Sequence, residues 1–145
     1  MYSRSEWTAF TLRLQVNLDG YALPIKKLKG TEPVESLDLS GKKLGVASTI
    51  VIASLISVNG SLTSLNLGHN QLCGLDKYGH GTYSAEGITA IADALRVNGS
   101  LTSLDLSKNR LGAEGAAALA PALTANGALT KIRYVSPRAN LGPHI

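Results

Sequence analysis

The sequence has a single cysteine, Cys73, so no intramolecular disulfide can form and no thiol cluster is available for a metal. That usage favours a reducing compartment, cytoplasm or nucleus. Long apolar runs are also missing. The most apolar stretch, residues 46–58, is broken by serines and a threonine and is well short of the roughly 20 residues that span a bilayer; no membrane span is expected. The opening MYSRSEWTAF puts an acidic residue and a tryptophan where a secretory signal needs an uninterrupted apolar run, so no signal peptide is expected. A glycine-rich phosphate loop is absent, since neither AEGITA nor AEGAAA supplies the lysine that would reach a phosphate.

Basic charge is present but not concentrated. The net charge is +4, yet residues 34–128 hold six Lys/Arg against seven Asp/Glu, and the surplus lies at the two ends. Arg4, Arg13, Lys26, Lys27 and Lys29 stand in front, and Lys131, Arg133 and Arg138 behind. Aromatic rings do not interleave with these charges as a base-stacking platform would require, so nucleic acid is disfavoured as a partner. An apolar content of 44% in 145 residues is enough to fill the core of one ordinary domain.

What is abundant is repetition. The octapeptide VNGSLTSL occurs at residues 58–65 and again at 97–104. Extending the alignment outward gives units at 34–61, 62–100 and 101–128, with a fourth start at 129–136. The first and third are 28 residues long and the second is 39, the difference being an insertion around residues 73–84, CGLDKYGHGTYS. Each unit opens with apolar residues at offsets 0, 3, 5 and 10: Leu62, Leu65, Leu67 and Leu72 match Leu101, Leu104, Leu106 and Leu111. That pattern reads as a short strand followed by a turn, with Asn70 and Asn109 at offset 8 placed to bond backbone groups the turn leaves unpaired.

The second half of each unit changes period from two to 3.6, which predicts an amphipathic helix. The inward rows are Ile88, Ile91, Ala92 and Leu95 in the second unit and Ala116, Leu119, Ala120 and Leu123 in the third. Asn-Gly closes each helix, at Asn59, Asn98 and Asn126, and both residue types tolerate the left-handed conformation that ends a helix.

Strand, turn, helix and turn in 28 residues, with LxxLxLxxNxL recurring in register over about residues 34–136, resembles the leucine-rich repeat family, in its ribonuclease-inhibitor-like class. The resemblance implies an α/β solenoid of about three full repeats with partial repeats at its ends, parallel strands on a concave face and helices on a convex one. Lys42 departs from the pattern by standing at the asparagine position, so that turn is expected to satisfy its backbone in another way. The last unit departs further, with Tyr134 and Pro137 in place of Leu and Asn, and residues 137–145 are read as a tail.

Residues 1–33 are read as a capping segment. Phe10, Leu12, Leu14, Val16 and Leu18 alternate with polar residues as a strand would, Tyr21 takes the asparagine place, and residues 24–30 form a shortened helix or turn. Trp7 is read as a cap residue. The cap is expected to cover a second apolar row on the first unit's helix, Ile50, Val51, Leu55 and Val58.

Two surfaces are candidates for binding. The resemblance makes the concave face the usual place for a protein partner, and the side chains expected there are Ser36, Asp38, Ser40, Ser64, Asn66, Gly68, His69, Ser103, Asp105, Ser107, Lys108, Lys131 and Arg133. The insertion is the one stretch the repeat does not need, and it carries Cys73, Asp76, Lys77, Tyr78, His80 and Tyr83. Cys73, Asp76, His80 and His69 are zinc-ligand types, but their spacing fits no closed four-ligand pattern, so no metal or other cofactor is expected. Cys73 with His80 lacks a third orienting group for nucleophilic catalysis, so no enzymatic activity is expected.

The functional expectation is a protein-binding or scaffolding module using the concave face and the insertion loop. The alternatives are a structural module that self-associates through its ends or its apolar first helix, and a regulator of another enzyme, as the family includes inhibitors and GTPase activators. Asn-Gly-Ser at Asn59 and Asn98 matches an N-glycan acceptor. The third unit keeps Asn126-Gly127 but ends in Ala128, so the shared feature is read as a joint of the scaffold.

Overall fold

The computed structural model describes residues 19–134. The expected strand at Phe10–Leu18, Trp7 and the tail at 137–145 lie outside the described residues. Helices and strands alternate through the chain: α1 (Ile25–Lys29), β1 (Ser36–Asp38), α2 (Val46–Ile56), β2 (Ser64–Asn66), α3 (Glu86–Val97), β3 (Ser103–Asp105), α4 (Gly112–Ala125) and β4 (Lys131–Arg133). The strands form one parallel sheet in chain order, in the register Ser36, Ser64, Ser103 and Lys131. The helices lie side by side, with α3 packed between α2 and α4. This is the α/β arrangement the repeat implied.

Alternation along each strand sends the central residue to the helices and its two neighbours to the opposite face. Leu65 and Leu104 are buried, whereas Leu37 and Ile132, on the outermost strands, are only half-buried. Leu67, Leu72, Leu106 and Leu111 complete the inner row against Ile52, Ile56, Ile91, Leu95 and Leu119. Each fully buried aliphatic side chain of this kind contributes about 2 kcal/mol.

Two ladders of buried asparagine join the units. In the strand-to-helix turns, Asn70 Oδ1 accepts from Lys42 N at 2.9 Å and Leu44 N at 3.0 Å, while its Nδ2 donates to the carbonyls of Leu39, Leu67 and Gly68. Asn109 repeats the pattern one unit on, accepting from Asn70 N and Leu72 N. Each amide therefore completes the turn of the unit before it. Lys42 leaves the first unit's own turn satisfied, because Asn70 supplies what that turn needs.

The helix-to-strand turns correct the reading of Asn-Gly. Neither Asn59, Asn98 and Asn126 nor the glycines after them adopt positive φ; Asn98 and Asn126 are extended, at φ −81° and −85°. Here the side chain does the joining. Asn98 Nδ2 donates to Ile56 O at 2.7 Å and Asn59 O at 3.2 Å, and its Oδ1 accepts from Ser100 N and Leu101 N. Asn59 bonds in the same way to the carbonyls of Lys27 and Leu28 and to the N–H groups of Ser61 and Leu62. Asn126 does so toward Leu95 and Asn98. The nitrogen a glycan would occupy on Asn59 or Asn98 is thus held inside the fold.

Two helix expectations also change. In α4 the buried residues are Gly115, Leu119 and Ala122, with Ala120 exposed and Leu123 half-buried. The row in α3 is buried throughout because α4 covers it, and among the described residues no helix covers α4. On α2, Val51 and Leu55 pack against the core, but Ile50 is 42% exposed, and Val58, in the turn past the end of the helix, is 68% exposed. The short helix α1 packs on α2 through the buried Ile25 and Leu28. Asp19 caps α2, its carboxylate accepting from Gly45 N at 3.0 Å and from the hydroxyl of Ser48.

Candidate functional site

The open face of the sheet, opposite the helices, is built from the first and third residues of each strand. Parallel register sets them in two rows: Ser36, Ser64, Ser103 and Lys131, then Asp38, Asn66, Asp105 and Arg133. The side chains of the second row fold back on the chain two residues later. Asp38 Oδ1 accepts from the N–H and hydroxyl of Ser40, Asn66 Oδ1 from Gly68 N, and Asp105 Oδ1 from the N–H and hydroxyl of Ser107. The Ser40 hydroxyl, then its N–H, hold the Asp38 carboxyl below the usual carboxylate range, with Lys42 adding to the effect. Arg133 reaches Asp105 at 3.9 Å. The result is a strip of short, pre-oriented acceptors that ends in two exposed cations.

His69 and Lys108 do not belong to this strip. The strands end at Asn66 and Asp105, and His69 and Lys108 lie in the following turns, exposed, at φ 55° and 60°. Gly41 occupies the same place in the first unit at φ 66°. The left-handed positions are therefore at these turns, where LxxLxLxxNxL gives no glycine to betray them.

The insertion is an ordered hairpin. Leu75 and Gly81 form an antiparallel bridge, and a Cβ on Gly74 would lie 2.2 Å from Thr82 O, one on Gly81 2.3 Å from Gly74 O. Only glycine permits this approach. At the tip, Asp76 Oδ1 accepts from Tyr78 N and His80 N, which holds its carboxyl below the ordinary range, the His80 N–H foremost. Tyr78 is 69% exposed, Lys77 lies 5.3 Å from its ring centroid, and the His80 ring 5.9 Å away. Arg110, which sequence reasoning missed, fastens the hairpin to the third unit by donating to Lys77 O at 2.7 Å.

The base of the hairpin is structural. Cys73 is buried, and desolvation pushes its thiol up. Tyr83, expected to face a partner, instead donates its hydroxyl to Leu111 O and interacts with Cys73; burial raises its phenol to about 12. Cys73 and His80 are thus not brought together: one faces the core and the other is exposed at the tip. Among the described residues no three His, Cys, Asp or Glu side chains gather in a metal-binding group. Among them, too, no helix is long and apolar enough to cross a membrane.

The comparisons with known proteins agree with this geometry. A family model described as Leucine Rich repeat matches residues 58–72 and 97–120. No curated protein matches the sequence. Among solved structures the chain is similar to Leiomodin-1 Actin-Binding Site 2, with a TM-score of 0.59 and 21% identity over 81% of this chain and 80% of that one. At that identity the likeness concerns the fold. With strands, helices and asparagine joints repeating in register, the chain has a leucine-rich repeat fold, and its residues 58–72 and 97–120 are similar to the Leucine Rich repeat family.

Proposed function

We propose that this chain is a protein-binding module that holds a partner against the open face of its sheet and the tip of its hairpin. The observation that carries the reading is the strip of Asp38, Asn66 and Asp105, aligned across three strands and each held in one orientation by the residue two places on. Preorganised polar groups lose little freedom when a partner docks. The chain also carries a hairpin that the repeat does not require, with Tyr78 exposed at its tip. The reading includes no catalysis, since the buried Cys73 is engaged with Tyr83. We place the protein in the cytoplasm or nucleus on its single cysteine.

Partner capture from a native extract tests this. Asp38→Lys, Asp105→Lys and Arg133→Glu together, or Tyr78→Ala alone, should reduce the captured partner at least about tenfold. Equal recovery by wild type and both variants would count against the reading.

A second reading, end-to-end self-association, draws on Ala120 and Leu123, which are uncovered or half-covered on the outer side of α4. Light scattering over a range of concentrations separates the two. A mass that stays at the monomer value removes self-association.

A further inference from the structure

Among the described residues four non-glycine residues have positive φ, and all four are basic: Lys43 at 58°, His69 at 55°, Lys108 at 60° and Arg110 at 52°. Glycine adopts this conformation without penalty, and asparagine, aspartate and histidine tolerate it best among the others. The chain uses glycine at the equivalent Gly41, so the scaffold accepts it there. Histidine in the second unit fits the conformation tolerably, but Lys108 at the same place in the third, and Lys43 and Arg110 two places further on in their units, are departures from what the backbone prefers. Strain retained where a simpler residue fits points to a use for the side chain.

The hydrogen bonds bring these residues together. Gly41 N donates to Gly68 O, and His69 N to Ser107 O, so the three turns stack on neighbouring strands, which in a sheet are about 4.8 Å apart. Lys42 N is tied to Asn70 and Arg110 to Lys77 O. The edge therefore presents Lys42, Lys43, His69, Lys77, Lys108 and Arg110, all exposed. Among the described residues none of these six belongs to an ion pair. Lys42 and Lys77 rest instead over Tyr21 and Tyr78.

We propose that this turn edge is a docking rim for an acidic segment of a protein partner. The proposal deepens the reading of the chain as a protein-binding module and rests on it. Charge complementarity sets the sign of the occupant, and the interruptions set its class. Asp38 feels the charge of Lys42 and Asp76 adjoins Lys77 in the chain, and a peptide can place neutral residues opposite them, whereas a nucleic acid carries a phosphate at every step. The rim also has one well-exposed ring, Tyr78, rather than the succession of rings on which single strands stack.

The test is fluorescence anisotropy with a labelled glutamate–serine repeat peptide and, separately, oligouridine RNA. The wild type should bind the peptide in low salt and bind it more tightly than the RNA, with affinity falling as salt rises. Lys42→Ser, Lys77→Ser and Lys108→Gly together should weaken peptide binding about tenfold or more. A control with the same loss of charge on α1, at Lys26, Lys27 and Lys29, should stay within about twofold. Lys108→Gly relieves a left-handed lysine, so the rim variant should melt no lower than the control, and lost binding cannot then be laid to unfolding.

Absence of peptide binding, tighter RNA binding, or equal loss in both triple variants overturns the rim. The open-face variants of the preceding section, tried with the same peptide, keep the two readings apart. Partner capture unaffected by those variants but lost with the rim triple removes the open face and leaves the rim. A peptide that fails to bind wild type removes the rim whatever the open-face variants do.

Discussion

Replacing Asn98 by alanine removes five bonds at the joint between the second and third units. The long one from the Ser100 hydroxyl costs little because that hydroxyl keeps Asn59 O and Leu62 O, and the structure says which of the other stranded groups matter. The two carbonyls that lose Nδ2 keep another donor: Ile56 O still accepts from Asn59 N, and Asn59 O from the Ser100 hydroxyl at 3.1 Å. Ser100 N is half-buried and can turn to water. Leu101 N has no such recourse, since Leu101 is fully buried. One orphaned buried donor costs about 1–3 kcal/mol, and three weakened sites add about 0.5 kcal/mol each. The sum is about 3 kcal/mol, a large share of the ~5–15 kcal/mol that holds a domain together. Urea unfolding followed by circular dichroism should show the midpoint falling with little change in slope, and the melting temperature should drop by roughly 10 °C. Asn66→Ala is the comparison, because Asn66 accepts only from Gly68 N on the open face; it should cost under about 1 kcal/mol. If the two substitutions cost the same, the ladder does not join the units and the accounting fails.

Three further outcomes are expected. Gly81→Ala should open the hairpin without unfolding the repeats, seen as faster proteolysis at Lys77 with an unchanged melting temperature, because the new Cβ would meet Gly74 O at 2.3 Å. Tyr83 has its phenol raised to about 12 from an unfolded value near 10, so its contribution is present below pH ~10 and lost as pH rises toward 12; Tyr83→Phe should flatten the fall in stability over that window in alkaline unfolding curves. Ser40→Ala should bring the Asp38 carboxyl back up toward the ordinary value, because the Ser40 hydroxyl bond is the foremost cause of its lowering, and an NMR titration of Asp38 would show it.

The parts of the fold visible in the sequence were those set by local periodicity. Leu65, Leu67, Leu104 and Leu106 declared the inner face of the sheet because strands alternate and burial follows. The rows of the open face followed from the same alternation. What stayed hidden depends on neighbours. The burial of Ala120 turns on whether another helix covers α4, and nothing within the unit records that. Asn98 reads as a helix stop by residue type, but its extended backbone and bridging side chain follow from the carbonyls of the unit before it. His69 and Lys108 resisted reading because their left-handed turns carry no glycine. Gly74 and Gly81 did stand in the insertion, and their spacing was the one available sign of a hairpin.

The asparagine joints also bear on how such a chain changes length. Each unit offers carbonyls and N–H groups to the amide that follows and brings an amide for the unit before, so every internal unit carries both halves of the connection. Copying or excising one whole unit leaves both ladders continuous, and a cut at any other length strands an amide from its mates. The second unit shows the permitted exception: its extra residues enter after Leu72, between the two joints, where neither ladder runs. The same geometry that makes the array rigid across its joints makes it modular along its sequence, open to lengthening by duplication and to ornament at one place in each repeat.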